Sequence, residues 1–270
     1  MNDLPVLVSF DAGVATLTLN RPETGNTINM DMAQALLQAA IRCDTDGAIR
    51  CVVLTGSGRL FCAGGDLSSF ADAGTNVAAF LSQLAGTLHM AVSRLMRMRK
   101  PLVVLANGPA AGAGLSLALA GDIVLAAPNA HFTAAYGAVG LSPDGGMSWL
   151  LPRLVGMRKA QQMIISNRRV GADEAAEIGL VSHVVSAEEL TSEGMKQASL
   201  LASGATGAIG AARALLLDSY GDSFEGHLDR EARSISALGT TDESREGIAA
   251  FLEKRRPDFI GMQRAQTDKA

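Results

Sequence analysis

Three short segments of this chain carry residue types that could do chemistry. Phe61-Cys62-Ala63-Gly64-Gly65-Asp66-Leu67 and Asn107-Gly108-Pro109-Ala110-Ala111-Gly112-Ala113-Gly114 each follow a short apolar, β-branched run. Small residues at a loop-to-helix junction leave backbone N–H groups unpaired, and a helix start adds partial positive charge. Two such donors aimed at one oxygen would stabilise an anion developing there. The third segment, Gly140-Leu141-Ser142-Pro143-Asp144-Gly145-Gly146, sets one carboxylate in an otherwise apolar, glycine-rich turn. Alone, Asp144 reads as a turn or helix-capping aspartate. Beside two donor junctions it becomes a candidate acid or base. A dinucleotide site is the rival ligand reading, and it fails. Gly112-Ala113-Gly114-Leu115-Ser116-Leu117 lacks the third glycine, and no phosphate-loop Lys-Ser/Thr pair is present.

The elements that must position these segments are legible as periodicity. Val6–Phe10 and Val14–Leu19, joined by Asp11-Ala12-Gly13, predict a hairpin. Asn29 can cap a helix through Cys43, with Ala33, Leu36, Leu37, Ala40 and Ile41 on one face. Cys51–Leu54 and Leu102–Ala106 read as buried strands, and Val77–Arg99 carries helical spacing up to Pro101. Strand signals recur at Ile123–Ala127, Phe132–Ala135 and Leu180–Val185, and helical ones at Met147–Leu151, Lys159–Ile165 and Ala172–Ile178. From about Glu188 the pattern is helical. The whole predicts an α/β core, residues 1–195, followed by a helical module, residues 196–270.

Composition narrows the classes. Of 270 residues 48% are hydrophobic and 19% charged, as in a packed globular protein. A net charge of −4 offers no basic stripe, so no nucleic-acid partner is expected. Cys43, Cys51 and Cys62 lack metal-ligand or CxxC spacing and read as core fillers in a reducing cytoplasm. The start, Met1-Asn2-Asp3-Leu4-Pro5, has no signal-peptide pattern, and no apolar run is long enough to span a membrane. His89, His131, His183 and His227 show no ligand spacing and receive no role; no metal is expected.

In order and spacing these segments resemble the crotonase, or enoyl-CoA hydratase/isomerase, superfamily over nearly the whole chain. The resemblance also includes Asn20-Arg21-Pro22 with Asn26, Leu151-Pro152-Arg153-Leu154-Val155-Gly156, Gly179-Leu180-Val181, Arg245-Glu246-Gly247 and Phe251-Leu252-Glu253-Lys254-Arg255. Its nearest subgroup is similar to ring-epoxide isomerases of phenylacetyl-CoA breakdown, through Ala-Ala-Gly-Ala-Gly and the Pro-Asp turn. The resemblance implies a spiral of ββα turns with a C-terminal trimerisation module, assembling as homotrimers or hexamers. It implies an acyl-CoA thioester as substrate, with coenzyme A as part of the substrate and no other cofactor. The oxyanion donors fall on Gly65 and Ala113, and the carboxylate on Asp144. Coenzyme A contacts are implied for Asn26, Thr27, Ala63, Asp66 and Leu67, and for Lys254, which could reach a phosphate on a neighbouring subunit.

Departures from the pattern bear on the reaction. Hydratases of this superfamily use two glutamates to activate water; the matching positions here are Ser116 and Tyr136, neither a carboxylate. Tyr136 then reads as a wall or orienting group of the acyl pocket. An isomerase using Asp144 as acid/base is the favoured expectation. A hydratase with atypical residues, an Asp144 nucleophile in a dehalogenase or hydrolase, and a non-catalytic acyl-CoA-binding subunit follow in that order.

Overall fold

A computed structural model describes residues 4–261. The ends of the two expected domains, residues 1–3 and 262–270, lie outside the described residues, as does the Met1-Asn2-Asp3 start. The elements run β1 (Val6–Asp11), β2 (Val14–Leu19), α1 (Met30–Thr45), β3 (Cys51–Gly56), α2 (Leu67–Asp72), α3 (Val77–Arg97), β4 (Leu102–Ala106), β5 (Ala110–Ala111) and α4 (Ala113–Leu119). They continue with β6 (Ile123–Ala126), β7 (His131–Thr133), α5 (Met147–Val155), α6 (Met157–Ile165), β8 (Val170–Gly171), α7 (Ala172–Glu177) and β9 (His183–Val184). Four helices end the described chain: α8 (Leu190–Ser203), α9 (Thr206–Asp218), α10 (Phe224–Gly239) and α11 (Asp242–Leu252).

A six-stranded sheet has the order β1-β2-β3-β4-β6-β9, and a three-stranded sheet the order β5-β7-β8. Only β1–β2 is antiparallel in the large sheet. The chain winds by visiting the large sheet, then the small one, then a helix: β4, β5 and α4 make one such turn. The turn before it runs from β3 through Cys62, which bridges Ala110 of the small sheet. The Phe61–Leu67 and Asn107–Gly114 segments therefore occupy equivalent places in successive turns of the spiral. That is why they lie side by side.

The strands at the centre are buried on both faces, as β-branched runs in parallel sheets require. Val52, Val53, Leu54, Leu102, Val103 and Val104 have no exposed surface. One face packs on α1 and α3, with Leu36, Leu95 and Phe61 at the contact; the other packs on α8 through Leu190, Ala198 and Ala202. Cys43, Cys51 and Cys62 are buried free thiols. Burial pushes the Cys62 thiol up to about 12, so it stays protonated and apolar at neutral pH.

Several elements differ from expectation. The predicted strand at Leu180–Val185 shrinks to His183–Val184, because the amides of Leu180 and Val181 both turn back to Ala175 O of α7. Leu67–Asp72 forms a short helix where no element was expected, started by Asp66, whose carboxylate accepts from Ser69 N at 3.3 Å. The boundary at 195/196 falls inside α8, a helix that belongs to the sheet's packing. Arg213 of α9 is tied to the body as well, donating to Asp122 Oδ1 at 2.8 Å and to the carbonyls of Lys100 and Leu95. The element that leaves the body is α10, which buries none of its residues. Among the described residues no single helix is long and apolar enough to cross a membrane.

Candidate active site

The two glycine-rich segments are locked together by main-chain contacts. Phe61 N and Cys62 N donate to Pro109 O, and Ala111 N returns a bond to Cys62 O at 2.9 Å. Glycine is required at two places in this seam. Gly64 has φ +102, and a Cβ there would stand 2.9 Å from Ala111 O. A Cβ at Gly114 would meet Cys62 O at 2.2 Å. The same construction at Gly64 reaches to 3.6 Å from Ala113 N, which shows how closely the first loop approaches the start of α4. Ala113 is the first residue of α4, where a helix has no internal acceptor for its N–H. Neither Gly65 N nor Ala113 N has a hydrogen-bond acceptor among the described residues.

Both residues line one cavity of about 270 Å³, together with Ala63, Leu67, Tyr136 and Asp144. Its apolar wall comes from Ile28, Phe70 and one stripe of α3: Leu81, Leu84, Ala85 and Leu88. Phe70 packs edge-on to Phe80, with ring centroids 6.1 Å apart. It also sits under Gly65, where a Cβ would fall 2.5 Å from its Cζ.

Asp144 does not cap α5; that helix starts from Gly146. Its carbonyl is held by Ser116 Oγ at 2.8 Å and its Oδ1 accepts from Tyr136 Oη at 2.5 Å. Ser116 is fully buried, so it positions the turn rather than meeting a ligand. Burial, and then the negative charge of Asp144, push the Tyr136 phenol well above its ordinary value. Tyr136 therefore remains a donor to Asp144 throughout the neutral and mildly alkaline range.

The other expected contacts divide. Ala63 and Leu67 line the cavity; Asn26, Thr27 and Asp66 do not. Asn26 is wholly buried, with Nδ2 donating to Ser57 O, Leu60 O and Phe61 O and Oδ1 accepting from Arg21 N. Every polar atom of that side chain is engaged in holding the first loop. Arg21 Nη1 braces Thr27 O at 2.7 Å and Asp66 Oδ2 at 3.0 Å. Burial opposes ionisation of Asp66, but Arg21 and the Ser69 amide outweigh it and hold the carboxyl below its usual value. Thr27 and Asp66 thus form a structural brace behind the loop. Lys254 is exposed after the end of α11 and does not line this cavity.

Sequence reasoning missed His89. Its Nε2 lies 3.3 Å from Asp144 Oδ2 and accepts from Gly145 N at 3.0 Å. The signal was available in the helical period: position 89 continues the 81, 84, 85, 88 stripe, as its one polar member.

Comparison with known proteins follows the same lines. Residues 9–262 match the family model for enoyl-CoA hydratase/isomerase. The chain is 38% identical over 264 residues to the 1,2-epoxyphenylacetyl-CoA isomerase of Escherichia coli (strain K12), covering 95% of this chain and 98% of that protein. It is 35% identical over 256 residues to the 2,3-dehydroadipyl-CoA hydratase of the same organism, with 95% and 98% covered. A solved enoyl-CoA hydratase from Polaromonas sp. JS666 superposes with a TM-score of 0.90 at 34% identity, over 94% of this chain and 98% of that one. Isomerases and hydratases thus both stand among its relatives. On the fold, the paired junctions and these matches, the chain belongs to the enoyl-CoA hydratase/isomerase family.

Proposed function

We propose that the protein is an acyl-CoA isomerase in which Asp144 moves a proton between carbons of the acyl group. The observation that carries this reading is that, among the described residues, Asp144 is the single carboxylate lining the cavity that holds both free amides. A two-carboxylate hydration would need a second acid, and the positions that the family resemblance matches to the hydratase glutamates hold Ser116 and Tyr136.

A thioester makes the neighbouring C–H bond only weakly acidic. Asp144 takes the proton, and the C–H electron pair passes into an enolate. The oxygen of that enolate lies between the amides of Gly65 and Ala113, each contributing about 3–4 kcal/mol by analogy with other oxyanion donors. The carboxyl group then returns the proton to another carbon, which shifts a double bond. With a ring epoxide the same group assists rearrangement. The step requires no metal or redox cofactor; coenzyme A is carried in on the substrate. Ala63 and Leu67 line the coenzyme A side of the cleft. Assembly as trimers or hexamers would cover Phe224, Leu228, Ile235, Ile248, Phe251 and Leu252, all exposed in one protomer. It would also give Lys254 a route to a phosphate in a neighbouring site. A reducing, cytoplasmic setting suits the three free thiols.

The lining also bears on substrate choice. Among the described residues no Lys or Arg lines the cavity, and the one carboxylate there is that of Asp144. An acyl chain ending in its own carboxylate would therefore enter unpaired beside a like charge. A panel of aromatic, aliphatic and ω-carboxylated acyl-CoAs, read by chromatography and mass spectrometry, is expected to yield double-bond or epoxide isomers from uncharged chains. kcat/KM for ω-carboxylated chains of equal length should be lower by about a hundredfold or more. Comparable turnover of the charged chains would contradict the specificity argument, and hydrated products alone would contradict the isomerase reading.

A further inference from the structure

The contact between His89 and Asp144 has a chemistry of its own. His89 Nε2 accepts the Gly145 N–H at 3.0 Å, an arrangement that places the ring's own proton on Nδ1. The same Nε2 lies 3.3 Å from Asp144 Oδ2. Nε2 has a single lone pair, so it takes a proton from Oδ2 only by giving up the Gly145 N–H. Asp144 Oδ1 is already occupied by the Tyr136 hydroxyl, which remains a donor because its phenol is held above the ordinary range. His89 is also the more open partner: its side chain is 48% exposed against 28% for Asp144.

We propose that His89 is the exit station for the proton that Asp144 removes, and that it connects the carboxylate to solvent. The proposal rests on the isomerase reading. The C–H bond breaks, its proton goes to Asp144 and its electron pair to the enolate. The proton then has two fates. It returns from Asp144 to carbon, or it crosses from Oδ2 to His89 Nε2 and forms an imidazolium, leaving Asp144 as carboxylate. With a hydrogen on Nε2 the ring can no longer accept the Gly145 N–H. Losing that contact frees the ring to turn its Nε2–H toward water, where the proton exchanges. The reverse path delivers a solvent proton to Asp144 and then to carbon. His89 is a positioning and relay residue: it does not line the cavity and receives the proton only through Asp144. Its contribution lies in the competition between internal return and exchange.

The experiment follows isomerisation in D2O and measures deuterium incorporated per turnover in wild type and His89→Gln. Glutamine keeps an acceptor for Gly145 N–H but cannot take up a proton at neutral pH. Wild type is expected to incorporate solvent deuterium, and H89Q to incorporate about fivefold less per turnover while kcat falls less than about tenfold. A purely structural role would lower kcat and leave the partition unchanged, so an unchanged ratio overturns the relay. A second measurement needs no substrate. Nitrogen-15 NMR of histidine-labelled protein at pH 8 is expected to show the His89 proton on Nδ1, and a resting Nε2–H form overturns the proposal. If wild type converts no acyl-CoA to an isomer, the isomerase reading fails. The tautomer measurement still decides the resting state on which the relay depends.

Discussion

Asp144→Asn is expected to lose about a thousandfold or more in kcat while still binding acyl-CoA. The replacement has nearly the same shape. Its Oδ1 can still accept from Tyr136 Oη, and its main-chain carbonyl still receives Ser116 Oγ. The apolar wall and both amides are untouched, so the ground-state complex should form with a dissociation constant near that of the wild type. What the amide cannot do is accept a proton from carbon. A positioned general base contributes roughly a hundredfold to ten-thousandfold, and among the described residues no other carboxylate lines this cavity. Rapid-quench turnover with the substrate found in the panel, beside calorimetric titration with the product, separates the two effects. Turnover within tenfold of wild type would remove Asp144 from the chemistry. An ester trapped on Asp144 of the unmodified protein would make it a nucleophile instead of a base.

Ala113→Pro should be nearly as damaging for a different reason. Ala113 is the first residue of α4, the helix position where proline is tolerated because no intrahelical bond is lost. The preceding residue, Gly112 at φ 53 and ψ −126, holds the mirror image of the extended conformation that precedes proline, and only glycine enters it without strain. The fold should therefore accept the change, with a melting temperature within a few degrees of wild type. The substitution deletes one oxyanion donor and sets a ring carbon where that N–H pointed. Loss of a single such donor elsewhere costs about a hundredfold to a thousandfold in kcat. A folded A113P variant with full activity would show that this amide does not meet the thioester.

These effects depend on features that differ in how far they could be read from residues alone. The central strands were legible because Cys51–Leu54 and Leu102–Ala106 are uninterrupted apolar runs, and a strand buried on both faces has no other composition. The two junctions and the Asp144 turn were legible because clustered glycine and a lone acid are unusual beside such strands. Asn26, Thr27 and Asp66 were harder. A polar residue near a cleft loop looks the same in sequence whether it faces ligand or props the loop from behind. The bonds from Asn26 to three carbonyls, and from Arg21 to Asp66, show what these side chains hold within the chain. The helix Leu67–Asp72 was missed for a related reason: its start depends on one weak cap at Asp66, and its sequence is short and small-residue rich. His89 and Asp144 lie 55 positions apart, and nothing local connects them. The tail was legible as helix but not as packing. α8 and α9 join the body through Ala198, Ala202 and Arg213, whereas α10 leaves its apolar residues open.

The central claim is geometric, and a crystal structure of the protein with a bound, unreactive acyl-CoA thioester analogue tests it most directly. The thioester oxygen is expected about 2.7–3.1 Å from both Gly65 N and Ala113 N. The carbon that loses its proton should lie about 3–3.5 Å from a carboxylate oxygen of Asp144. A thioester oxygen bonded to neither amide, or an acyl chain that leaves Asp144 facing only water, would contradict it.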